Sequence, residues 1–409
     1  MEDPRDYDWT EVANLADFSK PDWTKHILEG LNPGGPAEQK TVADLLEKHF
    51  EHSLLRLRAL EQSLQTRFIE KDEIIEMVIV SAIAHQPLLL VGKPGTAKSK
   101  IILKFCEGLG LGRVGEKEKE QKPGQPDAMR PGLASGNGQA SHHTVFQYLL
   151  NAFTEPDEVL GPVDIEGLRA KPPQFVRFRK GSITEAEVIF MDEVFRANSA
   201  ILNALLSVIN ERQVYEGGQL HEAKARLIYG ASNSTPTARQ LEDLRAFYAR
   251  FILRLESTFV SLEIDPQSGP TPARRQLIEQ GWQNEVRELR AGYRPEGSAM
   301  EPQACLNDVL LLNRAMTELW GGPDLSQMGH FLDQYHKLVA TLAGGQSPLC
   351  EIDDRKFVRL LAVLRAHALY KDAGPPKKSD LTVLRHIWDD LDSKNSVQSE
   401  VDNFLDRHH

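Results

Sequence analysis

The chain has 409 residues, of which 41% are hydrophobic and 26% charged, and its formal net charge is −11. This length predicts two or three domains, and the composition is typical of globular proteins, which excludes a disordered or fibrous chain. The acidic balance argues against a nucleic-acid partner, because binding to that polymer depends on lysine and arginine at its phosphates.

The expected location of the protein follows from its apolar runs, its N-terminus and its cysteines. No apolar run approaches the ~20 residues of a membrane-spanning helix, so no membrane span is expected. The N-terminal stretch MEDPRDYDWT is acidic and polar, which argues against a secretory signal peptide. Cys106, Cys305 and Cys350 are widely separated and predict neither a metal cluster nor a disulfide framework. A reducing, cytoplasmic location is therefore expected.

Residues 1–45 are predicted to form an N-terminal extension that ends near the loop-forming stretch LNPGGPAEQK. Two interpretations remain open for its tryptophans, Trp9 and Trp23: they pack the segment onto the body, or they dock a partner. From about residue 46 to residue 86 the apolar spacing is helical, as in KDEIIEMVIVSAIAH.

The chain up to residue 265 then alternates buried strands with helices. PLLLV suits a buried parallel strand, and a helix is predicted from about Lys98 to Leu109. Residues 112–141 are rich in Gly, Pro, Lys and Glu and predict a flexible surface insertion, either tolerated or regulatory. A regular pattern resumes at TVFQYLLNAF, and EAEVIFMDE, ARLIYGASN and FILRLE are predicted as strands. This order predicts an α/β domain with a parallel sheet over residues 46–265.

After residue 265 the strand signal fades and helical spacing takes over. The helical segments are PARRQLIEQGWQNEVRELRAGY, ACLNDVLLLNRAMTEL, SQMGHFLDQYHKLVATL, DDRKFVRLLAVLRAHALY and SDLTVLRHIWDDLD. Residues 266–409 are therefore predicted to form a linker and an all-helical domain.

The stretch LLLVGKPGTAKSKIIL has the arrangement of a phosphate-binding loop between a buried strand and a helix. Gly92, Lys98 and Ser99 match the pattern G-x-x-x-x-G-K-[ST], but Ala97 stands where glycine is usual. Lys98 would contact the β- and γ-phosphates of a nucleotide, and the Ser99 hydroxyl would bind Mg²⁺. The methyl group of Ala97 is harmless at a negative φ and damaging if φ must be positive.

Polar residues at two later strand ends extend this site. Asp192 and Glu193 end the apolar run VIFMDE about 95 residues after the lysine, where Asp192 would hold Mg²⁺ and Glu193 would deprotonate the attacking water. Asn233 ends LIYGASN and would hydrogen-bond the water or the γ-phosphate. An acidic pair that opens a loop and a turn asparagine are the ordinary alternatives. The expected nucleotide-binding residues are Gly92, Pro94, Gly95, Thr96, Ala97, Lys98, Ser99 and Asp192, and the expected metal ligands are Ser99 and Asp192.

The run MDEVFRANSAILNALLSVINERQVYEGG resembles the MoxR branch of the AAA+ ATPases, and most closely its RavA subfamily. FQYLLNAFTEPDEVLGP, ARLIYGASNSTP, YARF and IDDRKFVRLL carry the same resemblance, which runs from about Leu54 to the end. In that branch the loop reads P-G-x-A-K-S, so Ala97 is the expected residue. The resemblance implies an AAA+ P-loop NTPase fold, in which a parallel-sheet nucleotide-binding domain is followed by an all-helical lid domain. It also implies Mg²⁺-dependent hydrolysis of ATP.

The resemblance further implies roles for individual arginines. The arginine finger falls at Arg250 in YARF, where relatives usually have an aspartate before the arginine and this chain has Ala249. Arg245 and Arg254 are the alternatives for this role. The sensor arginine of the lid falls at Arg355 in DDRKF.

Residues 161–184 correspond to the helix-2 insertion of the same clade. FVRFRKG alternates with strand period, which predicts Phe175 and Phe178 on opposite faces and Arg177 with Arg179 on one face. A packed hairpin with a solvated basic side and a loop that contacts substrate or partner both remain open. QVYEGGQLHEAKARL predicts a second hairpin that turns at Gly217-Gly218.

Rings, commonly hexamers, with ATP between their subunits are implied by the resemblance. The implied partner is a protein with a von Willebrand factor A domain, which the ring would remodel or mature. A chelatase-type or nucleic-acid-remodelling motor and an ATP-gated scaffold with little turnover are the alternatives. The acidic charge argues against nucleic acid, and Glu193 argues against a scaffold, which needs no base.

Overall fold

The computed structural model describes residues 36–113, 144–169, 176–216, 219–236, 244–261, 264–265, 269–290, 300, 302–319, 325–344 and 347–407. Four predictions fall wholly or mainly outside these residues: the N-terminal extension up to residue 35, the insertion after Arg113, the position of Phe175, and the turn at Gly217-Gly218. None of the helices in the described ranges combines the length and the hydropathy required to span a lipid bilayer.

The strands are short and lie in the first two thirds of the chain. They are β1 (Leu88–Val91), β2 (Gly112–Arg113), β3 (Thr144–Leu149), β4 (Val188–Asp192), β5 (Gln213–Glu216), β6 (Gln219–Glu222), β7 (Leu227–Ser232), β8 (Leu253–Glu256), β9 (Ile264–Asp265) and β10 (Gly269–Pro270).

Six of these strands form one parallel sheet in the order β2-β3-β4-β7-β1-β8. β1 and β7 are buried along their whole length, as expected for apolar strands covered on both faces. The strands predicted in PLLLV, EAEVIFMDE, ARLIYGASN and FILRLE are confirmed, and TVFQYL is a further strand, β3. β5 and β6 pair antiparallel with Glu216 opposite Gln219, which confirms the second predicted hairpin.

The helices flank this sheet and make up the C-terminal part. They are α1 (Pro36–Arg67), α2 (Asp72–Ile83), α3 (Lys98–Gly108), α4 (Pro156–Leu160), α5 (Ile165–Arg169), α6 (Ser199–Glu211), α7 (Pro272–Arg290), α8 (Leu306–Glu318), α9 (Gly329–Ala343), α10 (Asp354–Asp372) and α11 (Leu391–Asp406). α1 begins about ten residues before the predicted helical start near residue 46. The stretch SDLTVLRHIWDDLD, predicted to be helical, forms a 3₁₀ helix over Lys378–His386 and a non-helical connection to α11.

Buried polar contacts join the C-terminal helices to the helices before the sheet. Asp308 of α8 accepts a hydrogen bond from Ser53 Oγ of α1 at 2.8 Å and lies 3.7 Å from Arg56 Nη1. His367 of α10 lies between Asp380, 2.6 Å from its Nδ1, and Glu76 of α2, 3.2 Å from its Nε2. The helical part is therefore held on α1 and α2 by charge pairs as well as by apolar packing.

Candidate nucleotide-binding site

The predicted phosphate-binding loop connects β1 to α3, and its shape depends on close backbone packing. A Cβ atom on Gly92 would collide with the carbonyl oxygen of Ser257, so this position requires glycine. Ser257 also donates its backbone N–H to Val91 O at 2.7 Å and its hydroxyl to Thr96 O at 2.7 Å. Gly95 has a φ of 85°, which glycine adopts without strain. The loop is therefore braced by the segment that follows β8.

Ala97 has a φ of 67° and lies just before the first residue of α3. This is the positive value that was expected to be unfavourable for a residue with a side chain. The left-handed conformation costs an L-residue with a Cβ atom roughly 1–2 kcal/mol. The surrounding loop therefore imposes this conformation on Ala97 against its local preference.

Lys98 points its ammonium group into the loop. Its Nζ donates to the carbonyl oxygen of Gly92, to Lys93 O at 3.1 Å and to Asn233 Oδ1 at 3.2 Å. Burial lowers the pKa of Lys98, and the nearby carboxylates of Asp192 and Glu193 oppose this shift. A buried cation with carbonyl and amide partners is well suited to hold an anionic phosphate group.

Asp192 lies at the end of β4 and faces the start of α3. Its Oδ2 accepts a hydrogen bond from Ser99 Oγ at 2.6 Å, and its Oδ1 accepts one from Glu193 N at 3.0 Å. Carboxylate and hydroxyl oxygens are hard donors of the kind that Mg²⁺ prefers, and Mg²⁺ is usually bound by one or two such groups plus phosphates. The pair that the sequence predicted as metal ligands is adjacent in space and fits that ion.

Glu193 follows Asp192 with a φ of 54°, so the backbone turns sharply at the end of β4. One carboxylate oxygen accepts a hydrogen bond from Asn233 Nδ2, and the other lies 3.3 Å from Arg196 Nε. Asn233 therefore bridges Lys98 and Glu193 through its two amide atoms. The sheet order explains this contact, because β7 lies between β4 and β1 and their carboxyl ends meet at one edge.

Arg196 is a contact of this site that sequence reasoning missed. Its spacing of three residues from Glu193 in MDEVFR was a local signal, since a 3₁₀ turn at Val194–Arg196 brings the two side chains together. No comparable local signal links Ser257 to the phosphate-binding loop, because 160 residues separate Ala97 from Ser257.

The three candidate arginines near β8 have different surroundings. Arg254 is 2% exposed, and its Nη1 donates to Trp388 O at 2.5 Å and to Asp389 Oδ1 at 3.0 Å. Its guanidinium also lies 4.1 Å from the centre of the Tyr248 ring. Arg245 is exposed and pairs with Glu351. Arg254 thus anchors the connection before α11, whereas Arg245 lies at the surface.

Arg250 is partly buried, and its Nε has no hydrogen-bond partner within the described part of the chain. Burial lowers the pKa of Arg250, the charge of Arg355 lowers it further, and Asp353 and Glu211 act in the opposite direction. Arg355 is exposed near the start of α10. Arg355 is therefore a charged neighbour of Arg250, whereas the charged neighbours of Lys98 are Asp192 and Glu193.

The described part of the helix-2 insertion is held to α4. Val163 and Arg177 form an isolated antiparallel bridge, and Arg177 Nη1 donates to Asp157 and, at 2.8 Å, to Gly161 O. The Arg177 side chain is only 12% exposed, so it does not belong to a solvated basic face. Phe178 is 57% exposed.

The fold and the site together define a P-loop protein of the AAA+ class with a helical lid. The family model described as the MoxR domain in the MoxR-vWA-beta-propeller ternary systems matches residues 55–116 and 124–294, and an AAA lid domain model matches residues 334–401. The chain belongs to the MoxR family of AAA+ proteins. These descriptions do not name the RavA subfamily, so the closer resemblance to RavA stays a prediction.

Similar proteins are found among archaeal sequences and solved structures. The uncharacterized protein MJ0079 of Methanocaldococcus jannaschii is 28% identical over 346 residues, which cover 82% of this chain and 71% of that protein. The uncharacterized protein MJ0812 of the same organism is 27% identical over 348 residues, which cover 84% of this chain and 74% of that protein. A structure from Cytophaga hutchinsonii, described as that of a candidate ATPase, has a TM-score of 0.57 at 13% identity and covers 89% of this chain and 97% of that one. At this identity the structural match supports the fold alone.

Proposed function

We propose that this chain hydrolyses ATP with Mg²⁺ as a subunit of a ring and couples hydrolysis to the remodelling or maturation of a partner protein. The proposal rests chiefly on the bridge that Asn233 makes between Lys98 and Glu193. This bridge joins a phosphate-binding cation to a carboxylate at the ends of neighbouring strands. A protein that only bound phosphate would need Lys98 but would have no use for Glu193 at that place.

Each group of the site has a distinct task in this proposal. The backbone N–H groups of the loop and Lys98 bind the phosphates, and Ser99 and Asp192 hold the metal ion. Mg²⁺ bound there would neutralise charge on the phosphate oxygens. Glu193 takes a proton from the attacking water, and Asn233 orients that water or the γ-phosphate.

The contacts of Glu193 favour one alternative, an ATP-gated scaffold with little turnover. Both of its carboxylate oxygens are engaged, one by Asn233 and one by Arg196. These contacts occupy two of the roughly four lone-pair sites of the carboxylate and compete with the attacking water for its oxygens. Hydrolysis is therefore favoured when nucleotide or partner binding redirects at least one of these contacts.

We infer that Arg250 and Arg355 act on the nucleotide of a neighbouring subunit. Within one chain Arg355 and Asp353 are charged neighbours of Arg250, and Asp192 and Glu193 are charged neighbours of Lys98. A partly buried guanidinium whose Nε lacks a partner in the described structure is suited to meet an anion from outside the chain. This arrangement supports a ring, commonly hexameric in such proteins, with ATP between subunits.

A partner with a von Willebrand factor A domain fits the family description, which names MoxR-vWA-beta-propeller systems. We propose such a protein as the partner of the ring. We also propose that the ring is located in the cytoplasm.

The first experiment measures ATP turnover per subunit over a range of protein concentrations, for wild type and Glu193→Gln. We expect the specific activity of wild type to rise with concentration and that of the variant to stay near zero. If ATP turnover per subunit does not depend on protein concentration, the site is not shared between subunits. Tight ATP binding with no turnover in wild type would favour the scaffold.

A further inference from the structure

Phe259 lies beside the phosphate-binding loop and is 53% exposed. Its Cε1 atom is 3.8 Å from the position that a Cβ atom on Gly95 would occupy, so the ring lies close to the loop. The ring therefore borders the loop that binds phosphate in the proposed function, with much of its surface open. Exposed aromatic rings with such a neighbour are suited to stack on a flat ligand.

The segment that carries Phe259 is held in place by the residues that precede the ring, directly after β8. Ser257 is buried and bonded to β1 and to Thr96, as described above, and Lys71 Nζ donates to Thr258 O at 2.7 Å. Lys71 is 5% exposed, and burial lowers its pKa, so this contact lies inside the structure.

The segment is also held in place by the residues directly after Phe259. Val260 is 7% exposed, and Ser261 N donates to Glu70 Oε2 at 3.1 Å. Anchors on both sides hold the ring in place, so its exposure does not arise from a loose loop.

The position of Phe259 in the sheet gives the direction of a bound nucleotide. β8 lies on one side of β1, and β7 and β4, which carry Asn233, Asp192 and Glu193, lie on the other. The γ-phosphate must face Glu193 if that residue acts on the attacking water. The other end of the nucleotide then leaves the loop on the flank of β8, where Phe259 lies.

The helical lid meets the core on the same flank. Lys394 Nζ of α11 lies 2.6 Å from Glu256 Oε2 at the end of β8, and His386 Nε2 lies 3.3 Å from Glu73 Oε1 of α2. Glu256 directly precedes Ser257, and Glu73 lies two residues after Lys71, so the lid meets the core close to the residues that hold the segment of Phe259.

We infer that Phe259 is the stacking platform for the base of the bound nucleotide. This inference rests on the proposed function, because it requires that Gly92–Ser99 bind the phosphates. Stacking of a base on an aromatic side chain corresponds to about a 5- to 150-fold gain in affinity, and it is tolerant of base identity because every base has a π-face.

The test compares ATP with inorganic tripolyphosphate, which carries the phosphates without a base. Calorimetry with Mg²⁺ is done on the wild-type protein and on Phe259→Ala, with Phe178→Ala as the control, since Phe178 is similarly exposed but lies in the helix-2 insertion. We expect Phe259→Ala to weaken ATP binding about 5- to 150-fold and to leave tripolyphosphate binding unchanged. Phe178→Ala is expected to bind both ligands as wild type does.

A second variant, Phe259→Trp, reports stacking directly. We expect it to keep the wild-type affinity for ATP, and we expect ATP, but not tripolyphosphate, to quench the added tryptophan fluorescence relative to wild type. The inference is overturned if Phe259→Ala binds ATP as tightly as wild type, or if it loses both ligands equally, which would mean that the ring only supports the loop. If wild type itself binds no ATP, the proposed function fails together with the inference.

Discussion

Ser99 Oγ donates a hydrogen bond to Asp192 Oδ2 over 2.6 Å and so ties the start of α3 to the end of β4. These two oxygens come from residues 93 positions apart and are the proposed ligands of Mg²⁺. Their contact fixes the position of the phosphate-binding loop relative to the strand that carries the carboxylates.

Asp192→Asn should raise the Mg²⁺ concentration needed for half-maximal ATP hydrolysis by about tenfold or more, because the substitution removes a negative charge from a hard cation site. ATP turnover against Mg²⁺ concentration measures this shift. Asp157→Asn is the control, since Asp157 pairs with Arg177 outside the site. An unchanged Mg²⁺ dependence would remove Asp192 from the proposed metal site.

Lys98→Ala should abolish detectable nucleotide binding, because the buried ammonium group is the cation bonded within the loop. Equilibrium binding of ATP and of ADP is the measurement. Lys104→Ala, on the same helix but paired with Glu107, is expected to bind both nucleotides normally. Tight ATP binding by Lys98→Ala would contradict the assignment of the loop.

Arg250→Ala should lower turnover steeply, since arginine fingers in phosphoryl-transfer sites contribute ~10³–10⁵ in rate. Mixing this variant with Glu193→Gln should restore activity, because about a quarter of the interfaces in an equal mixture join an intact Glu193 to an intact Arg250. Arg245→Ala is the matched control and should stay near wild type, as exposed ion pairs contribute little. No recovery at any mixing ratio would count against action between subunits.

Ala97→Gly should raise the free energy of unfolding by up to roughly 1.6 kcal/mol, the difference between two effects. Relief of the left-handed conformation contributes about 1–2 kcal/mol, and the greater freedom of glycine in the unfolded chain offsets about 0.4–1 kcal/mol. Ala197→Gly, at a φ of −67°, lacks the first effect and should be destabilising. Chemical denaturation of both variants measures the change in unfolding free energy. A change in the same direction for both would contradict the strain at Ala97.

His367 should make stability depend on pH. Burial lowers its pKa, but the hydrogen bonds and charges of Asp380 and Glu76 outweigh burial, and the folded-state pKa is raised above the ordinary value. The stabilisation is therefore fully present below the unfolded-state pKa of about 6.5 and is lost as pH rises through the folded-state value.

Denaturation of wild type and His367→Gln at about pH 6 and about pH 9 tests this sign. We expect the difference in unfolding free energy between the two proteins to be larger at the lower pH. His336→Gln is a control outside this charge cluster, since His336 packs against the Phe357 ring. A difference that grows with pH would show that His367 is held neutral.

The residue patterns alone predicted the parallel α/β sheet and the helical C-terminal part, and they named most residues of the candidate site. Buried parallel strands have continuous apolar runs, and the phosphate-binding loop has a distinctive local pattern, so β1, β4 and β7 and the residues at their ends could be recognised. The meeting of Lys98, Asp192 and Asn233 could also be anticipated, because parallel strands bring their carboxyl ends to one edge.

Only the tertiary structure separated residues of the same type. Arg245, Arg250 and Arg254 lie within ten residues of one another, yet Arg245 is exposed and pairs with Glu351, Arg250 is partly buried with Arg355 as a charged neighbour, and Arg254 is buried and bonded to the connection before α11. Packing by distant segments makes this difference, and no local pattern records it.

The same reason applies to Ala97 and Phe259. The left-handed φ of Ala97 and the position of Phe259 close to Gly95 depend on how the segment after β8 packs against the loop. A sequence pattern determines which backbone hydrogen bonds and apolar faces form nearby in the chain. Contacts between segments about 160 residues apart are decided by the packing of the whole sheet, and these contacts set the conformation and the surroundings of the site.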